Sequence, residues 1–180
     1  MDIENEGRVL NINPEQVLES LKKINAEFRH ATFQKRYVYD FNPVIKGKWI
    51  RLRSNGKINT LAIKEITDTE ISGTRELEIE VSDFEKTNEI LCELGYIPRA
   101  YQENFRIEFT GEDYSVDIDY WPQLGIYLEV EANTSERVFH IFSLLGFKQE
   151  DVTGENVDLL YQREGIDLDR IKYLKFSDQE

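Results

Sequence analysis

Along much of this chain a charged side chain occupies every second position, with an apolar or small residue between. The run Asp2-Ile3-Glu4-Asn5-Glu6-Gly7-Arg8-Val9-Leu10 opens the pattern, and Arg51-Leu52-Arg53, Glu76-Leu77-Glu78-Ile79-Glu80, Asp117-Ile118-Asp119 and Glu129-Val130-Glu131 repeat it. A β-strand points successive side chains to opposite faces, so each run makes one charged face and one mostly apolar face. The apolar partners, such as Ile3, Val9, Leu52, Leu77, Ile79 and Val130, need cover, which helices supply most readily. An open sheet would leave the charged face in water. A sheet rolled into a barrel would enclose it and remove the exposed edges.

Helices are signalled between the strands. Asn13-Pro14-Glu15-Gln16 reads as an N-cap, a proline in the first turn and a glutamine three residues after the cap, followed by Val17, Leu18, Leu21 and Ile24 at helical spacing. Ser82-Asp83-Phe84-Glu85 reads as a capping box that opens a second helix, ending at Gly95. A third helix is expected over 135–145 with Gly146 as its stop, and a short one over 157–163. An extended region over 31–41 and strands near 50–53, 60–66, 75–81, 101–109, 114–120 and 126–131 complete the reading, with Ser54-Asn55-Gly56 as a hairpin turn. The expected fold class is α+β: an eight-stranded antiparallel β-barrel with flanking helices, spanning residues 1–150, with a C-terminal helical extension over 151–180 packed on it.

Composition narrows the function. At 180 residues, 40% hydrophobic and 32% charged, the chain is long enough for one domain with a sizeable core. A formal charge of −13 is the reverse of the basic stripe that a general nucleic-acid binder carries, and it disfavours anionic membrane surfaces. No leader pattern and no bilayer-length apolar run is visible, and Cys92 is the single cysteine, so a cytoplasmic location is expected. A phosphate-binding Gly-x-x-x-x-Gly-Lys-[Ser/Thr] loop, a serine-hydrolase elbow and a zinc-type Cys/His set are all absent from the sequence. His30 and His140 read as ordinary surface or helix-side residues, Tyr37, Tyr39 and Tyr101 as strand packing, and 177–180 as a solvated end.

The charged faces carry the chemistry. Glu76, Glu78 and Glu80 on one strand, Asp117 and Asp119 on another, and Glu129 and Glu131 on a third would repel one another if gathered on one surface. Arg8, Arg51, Arg53, Lys64 and Arg106 can neutralise part of that charge, and hard divalent ions such as Mg²⁺ or Mn²⁺ suit the remaining oxygens. The paired guanidinium groups of Arg51 and Arg53 suit phosphate oxygens. Acids for a metal and bases for phosphate together match a metal–polyphosphate complex.

In order along the chain, these runs resemble the CYTH, or triphosphate tunnel metalloenzyme, superfamily. Glu4-Asn5-Glu6-Gly7-Arg8 is similar to its Glu-x-Glu-x-Lys signature, Trp49-Ile50-Arg51-Leu52-Arg53 to its Arg-x-Arg strand, and Leu61-Ala62-Ile63-Lys64 to its Thr-x-Lys strand. Arg75-Glu76-Leu77-Glu78-Ile79-Glu80-Val81, Asp117-Ile118-Asp119 and Leu128-Glu129-Val130-Glu131 resemble its later strands. The resemblance implies a charged tunnel with Glu4, Glu6, Glu129 and Glu131 as metal ligands and Arg8, Arg51, Arg53, Lys64 and Arg106 on phosphates. Glu76, Glu78, Glu80, Asp117 and Asp119 would line it, with Glu78 and Asp119 as candidates for the catalytic base. The chain departs from the pattern in four places, the first being that the strand ending at Lys64 lacks the threonine. Arg8 stands for lysine, Asn104-Phe105-Arg106 for the Lys-x-Arg strand, and Arg36 and Val38 for the acid and aromatic of the second strand. If Arg36 points inward, it restores the charge lost at Asn104.

The function expected from the resemblance is metal-dependent hydrolysis of a triphosphate, inorganic or organic, with Mg²⁺ or Mn²⁺ as cofactor. The alternatives are a class IV adenylyl cyclase forming cyclic AMP from ATP and a non-catalytic polyphosphate- or nucleotide-binding module. The expected partner is a small triphosphate; a homodimer is compatible with the sequence.

Overall fold

The computed structural model describes residues 1–176. Nine strands form: β1 (Asp2–Leu10), β2 (Glu27–Asp40), β3 (Lys48–Ser54), β4 (Asn59–Ile66), β5 (Thr74–Val81), β6 (Ala100–Thr110), β7 (Tyr114–Trp121), β8 (Gly125–Ala132) and the short β9 (Tyr173–Leu174). Four α-helices accompany them: α1 (Pro14–Lys23), α2 (Phe84–Glu93), α3 (Ser135–Leu144) and α4 (Val157–Arg163). The first eight strands run in the order β2-β3-β4-β5-β1-β8-β7-β6, and a long β2–β6 pairing joins the two ends. The result is the closed antiparallel α+β barrel that the alternating pattern led us to expect.

Register fixes which residues share the lumen. Directly paired residues point to the same face, and the pairs include Glu6 with Glu131, Arg8 with Glu129, Asp117 with Glu129 and Arg106 with Asp119. On the other side Arg36 pairs with Arg53 and Lys64 with Glu76. All the charged faces therefore turn inward together.

The helices pack outside. Asn13 caps α1 by accepting from the amides of Glu15 and Gln16 at 3.0 and 3.2 Å, and α1 lays Val17 and Leu21 on the barrel. Val138, Ile141 and Phe142 of α3 join them over Val116, Leu128 and Val130. α2 covers Ile50 and Leu52 of β3 with Phe84 and Leu91. The cap of α2 is Asp83, whose side chain accepts from the Lys86 amide at 2.9 Å. The capping box expected from Ser82 does not form, because Asp83 is itself extended and the helix begins one residue later than that motif requires. Gly95 and Gly146 take positive φ of 92° and 95° just beyond α2 and α3, as their stop role requires. β2 begins at Glu27, several residues before the run that its apolar pattern marks, because its first turn of strand is held by pairing to β6.

Helical cover is uneven. Val9, Leu52 and Val130 are buried, whereas Ile3, Leu77 and Ile79 stay 58%, 51% and 58% exposed. The expectation that the apolar faces are all covered fails on β5 at Leu77 and Ile79, whereas Val81 at its end packs against the cluster of Phe84 and Leu91. Tyr37 stacks on Phe84 with ring centroids 5.2 Å apart, consistent with packing rather than base stacking. Beyond β8, α4, a 3-10 turn over Leu168–Arg170 and β9 place Leu160, Tyr161, Leu168 and Leu174 against Trp121 and Tyr127. Residues 177–180, read as a solvated end, lie outside the described residues. Among the described residues no helix is long and apolar enough to cross a membrane.

Candidate functional site

The lumen holds a cavity of about 540 Å³. Glu4, Glu6 and Arg8 of β1 line it, with Arg51 and Arg53 of β3, Lys64 of β4, Glu76 and Glu78 of β5, Arg106 of β6, Asp117 of β7, and Glu129 and Glu131 of β8. Glu80 lines a second cavity of about 410 Å³ whose wall also includes Arg53, Glu78 and Arg106, so the two are neighbouring parts of one lumen. Asp119 shares the inward face but is 0% exposed. It accepts from Asn104 Nδ2 at 2.7 Å and from Nε and Nη2 of Arg106, and so stands behind the lumen surface. His30, expected to be an ordinary surface residue, lies on the wall of the second cavity with Nε2 3.5 Å from Glu108.

Most cations in the lumen are held by carboxylates. Arg8 bridges Glu6 and Glu129 at 2.8 and 2.7 Å. Arg51 bridges Glu76 and Glu78 at 2.7 and 2.8 Å, and Lys64 reaches Glu4 and Glu76 at 2.8 and 3.3 Å. The guanidinium of Arg106 sits among Asp117, Asp119 and Glu129, whose oxygens lie within 4.8 Å of one another. Thr74 donates to Glu6 Oε1 at 3.0 Å and so fixes that carboxylate. A planar fork reaches two acids on different strands where a lysine would offer a point charge, which is the consequence of Arg8 in the opening motif.

Arg36 is different. It is 8% exposed and points inward, as its compensating role requires, donating to Asn104 Oδ1 and lying 4.6 Å from the centroid of Trp121. Among the described residues no carboxylate contacts it, and its Nε–H has no acceptor. Burial first, and then the neighbouring charges of Arg51, Arg53 and Arg106, push it down to about 9. Arg53 is also short of partners: it reaches Glu78 at 3.5 Å, and Arg51 beside it, with burial, pushes it down to about 10.

The opposite imbalance occurs across the barrel. Burial and a hydrogen bond shared with Glu76 push Glu4 up to about 8 against the pull of Lys64. Burial, then Glu129 and Glu6, push Glu131 up as well. Burial pushes up Asp117, and its Oδ1 is buried without a hydrogen-bond donor. Burial raises Glu6 and Glu129, but the combined pull of Arg8 and Lys64 on the first, and of Arg8, Arg106 and Lys64 on the second, holds both below the ordinary range. In the strand order β2 is four strands from β1, and β3 four from β8. The under-paired cations and the under-paired acids thus occupy opposite walls.

Several participants escaped the sequence reading. Glu108 lines the lumen two residues after Arg106, so the period-two signal was present there. Trp121 carried no such signal. Asn156, Val157 and Asp158 reach the cavity from the C-terminal extension, which is tied to the barrel where Arg8 donates to the carbonyl of Glu155 at 3.0 Å. The run 157–161 reads from the sequence as a cover for a tunnel mouth, and Val157 and Asp158 do line the cavity; Asn156 carries no such signal.

No protein-family model matches the chain. Several similar proteins are described as putative adenylate or adenylyl cyclases, and three of them follow. One, from Methanocaldococcus jannaschii, is 29% identical over 140 residues, covering 74% of this chain and 79% of the relative. The solved structure from Vibrio parahaemolyticus superposes with a TM-score of 0.77 at 16% identity, covering 89% of this chain and 98% of its own. The third, from Hippeastrum, is described as having a dominant triphosphatase activity; its TM-score is 0.58 at 15% identity, over 92% and 96% of the two chains. The closed barrel and these likenesses show that the chain shares the tunnel fold of these proteins, in line with the CYTH-type architecture that its ordered charged strands resemble.

Proposed function

We propose that the chain is a metal-dependent triphosphatase that hydrolyses a small triphosphate inside the tunnel. One observation carries this reading: surplus negative charge on the β1–β8 wall faces surplus positive charge on the β2–β3 wall. A buried ion without a partner is costly, and a site that holds both kinds is complementary to a metal–polyphosphate complex. The acid wall suits a hard divalent ion: its donors are carboxylate oxygens, and burial holds Glu4, Glu131 and Asp117 above their ordinary range despite the pull of Lys64 and Arg106. Glu4, Glu6, Glu129 and Glu131 would hold Mg²⁺ or Mn²⁺, which when bound neutralises charge on the phosphate chain and its leaving oxygen. Arg8, Arg51, Arg53, Lys64 and Arg106 would grip and align the phosphates, which is most of what phosphoryl transfer needs from a protein.

Of the two candidate bases, Glu78 is the one that reaches the lumen. Arg51 and Arg53 approach one of its oxygens, leaving the other to take a proton from an attacking water as the water oxygen bonds to phosphorus and the bridging oxygen departs. Asp119, fully engaged by Asn104 and Arg106, would position Arg106 instead. The Hippeastrum protein's description supports a hydrolytic reading. That of the M. jannaschii relative supports a second one, cyclisation of ATP.

Incubation with inorganic tripolyphosphate, thiamine triphosphate or ATP and Mg²⁺ or Mn²⁺, with products separated by chromatography, tests both. Phosphate release from at least one substrate, abolished in Glu6→Ala, is the expected result. Cyclic AMP as the main product from ATP would decide for the cyclase. Tight binding with no product over hours would identify a binding module and end the hydrolytic reading.

A further inference from the structure

Arg36 is costly where it stands. It is a buried guanidinium with no carboxylate in contact among the described residues, in a cavity shared with five other arginines. Its contacts hold it in one position all the same. Asn104 accepts from one arm, Gln34 Oε1 lies 3.4 Å away, and the flat face rests on the Trp121 ring. Asn104 is in turn oriented by Asp119, so a chain of buried polar contacts fixes the guanidinium without neutralising it. Arg36 Nε and Trp121 Nε1 both remain buried N–H groups without an acceptor. A rigid cation with an unused donor in a cavity wall is a preformed anion site.

Resting on the triphosphatase reading above, we propose that Arg36 binds the phosphate farthest from the metal and makes the tunnel selective for the length of the phosphate chain. β2 stands across the barrel from β1, so a chain anchored at the β1–β8 acids touches Arg36 only if it spans the lumen. Length selection follows if pyrophosphate reaches only one of the two walls and a triphosphate reaches both. Arg53, paired with Arg36 across β2–β3, flanks the same phosphate. Asn104 and Trp121 are positioning residues, since they act through Arg36.

The test compares the wild type, Arg36→Gln and Arg36→Lys by calorimetry with inorganic tripolyphosphate and with pyrophosphate in Mg²⁺, and by thermal melting without ligand. Arg36→Gln should lose on the order of tenfold or more in tripolyphosphate affinity, the scale of one charge-assisted contact, and much less with pyrophosphate. Arg36→Lys should recover part of the loss. Without ligand, Arg36→Gln should melt at the wild-type temperature or above it, because an unneutralised buried charge has been removed. A wild type that binds tripolyphosphate with an Arg36→Gln variant that binds it equally well would overturn this inference and leave the triphosphatase reading standing. Equal losses for the two ligands would overturn the length selection, and an Arg36→Gln protein that melts several degrees lower would make Arg36 structural. A wild type that binds neither anion would overturn both readings.

Discussion

At the scale of single residues, the lumen is a set of ionisable groups whose protonation depends on partners from other strands. Glu4 illustrates this. Its ordinary value is 4.5, but burial and the hydrogen bond shared with Glu76 raise it to about 8 in the folded chain. A carboxyl raised in this way keeps its proton in the native state while the unfolded chain has given it up. Its contribution to stability is complete below about 4.5 and is lost as pH rises to about 8. Thermal melting in a chelator at about pH 5 and about pH 8 should therefore show a lower midpoint at the higher pH, and Glu4→Gln should flatten that difference. Arg8 and Thr74 show the complementary device. Neither has to react, but together they hold Glu6 ionised and aimed inward.

At the scale of elements, β1 is constrained on both faces. Its inward residues are the charged set, while its outward Gly7 lies beneath α3 and the segments around Ile71 and Val152. A Cβ at this position would meet Val152 Cγ1 at 2.8 Å, Phe142 Cε2 at 3.0 Å and Ile71 Cδ1 at 3.1 Å. The glycine between Glu6 and Arg8 is thus needed for close packing, even though the opening motif draws attention only to its charges. Gly7→Ala should cost about 1–3 kcal/mol in urea unfolding, as overpacking usually does, and Gly7→Val more. Both should also weaken metal or phosphate binding, since a displaced β1 moves Glu6 and Arg8 with it. Element identity was legible from the sequence wherever the pattern was periodic: the caps at Asn13, the stops at Gly95 and Gly146, and α4 over Val157–Arg163. It was misread where two polar residues competed for one cap, at Ser82 and Asp83.

At the scale of the whole molecule, closure is achieved by backbone pairing and by three apolar clusters outside the lumen. The ionic interior is not what holds the barrel shut. Removal of divalent ions with a chelator should accordingly leave the far-UV circular dichroism unchanged while abolishing triphosphate turnover, unlike a domain whose metal is its core. The same arrangement explains why so acidic a chain suits a polyanion. The formal charge of −13 is spread over the molecule, whereas the cations of β2, β3 and β6 are concentrated in a confined space with a low dielectric.

The amino-acid sequence by itself determined which residues share a face. Strand alternation is a local property, and a period of two survives whatever the partner strand turns out to be. It determined the inward sets Glu4–Glu6–Arg8, Arg51–Arg53, Glu76–Glu78–Glu80 and Glu129–Glu131, and with them the character of the lumen. Tertiary structure alone decided how those sets neutralise one another. Arg106 enters a triangle of carboxylates from two other strands, Asp119 is sealed behind it, Arg36 is left on Trp121 without an acid among the described residues, and Leu77 and Ile79 on the outer face of β5 are left exposed. Each of these depends on contacts between residues far apart in the chain, set by the register with which β2 meets β6 and by which strands the helices reach. No local periodicity encodes that register.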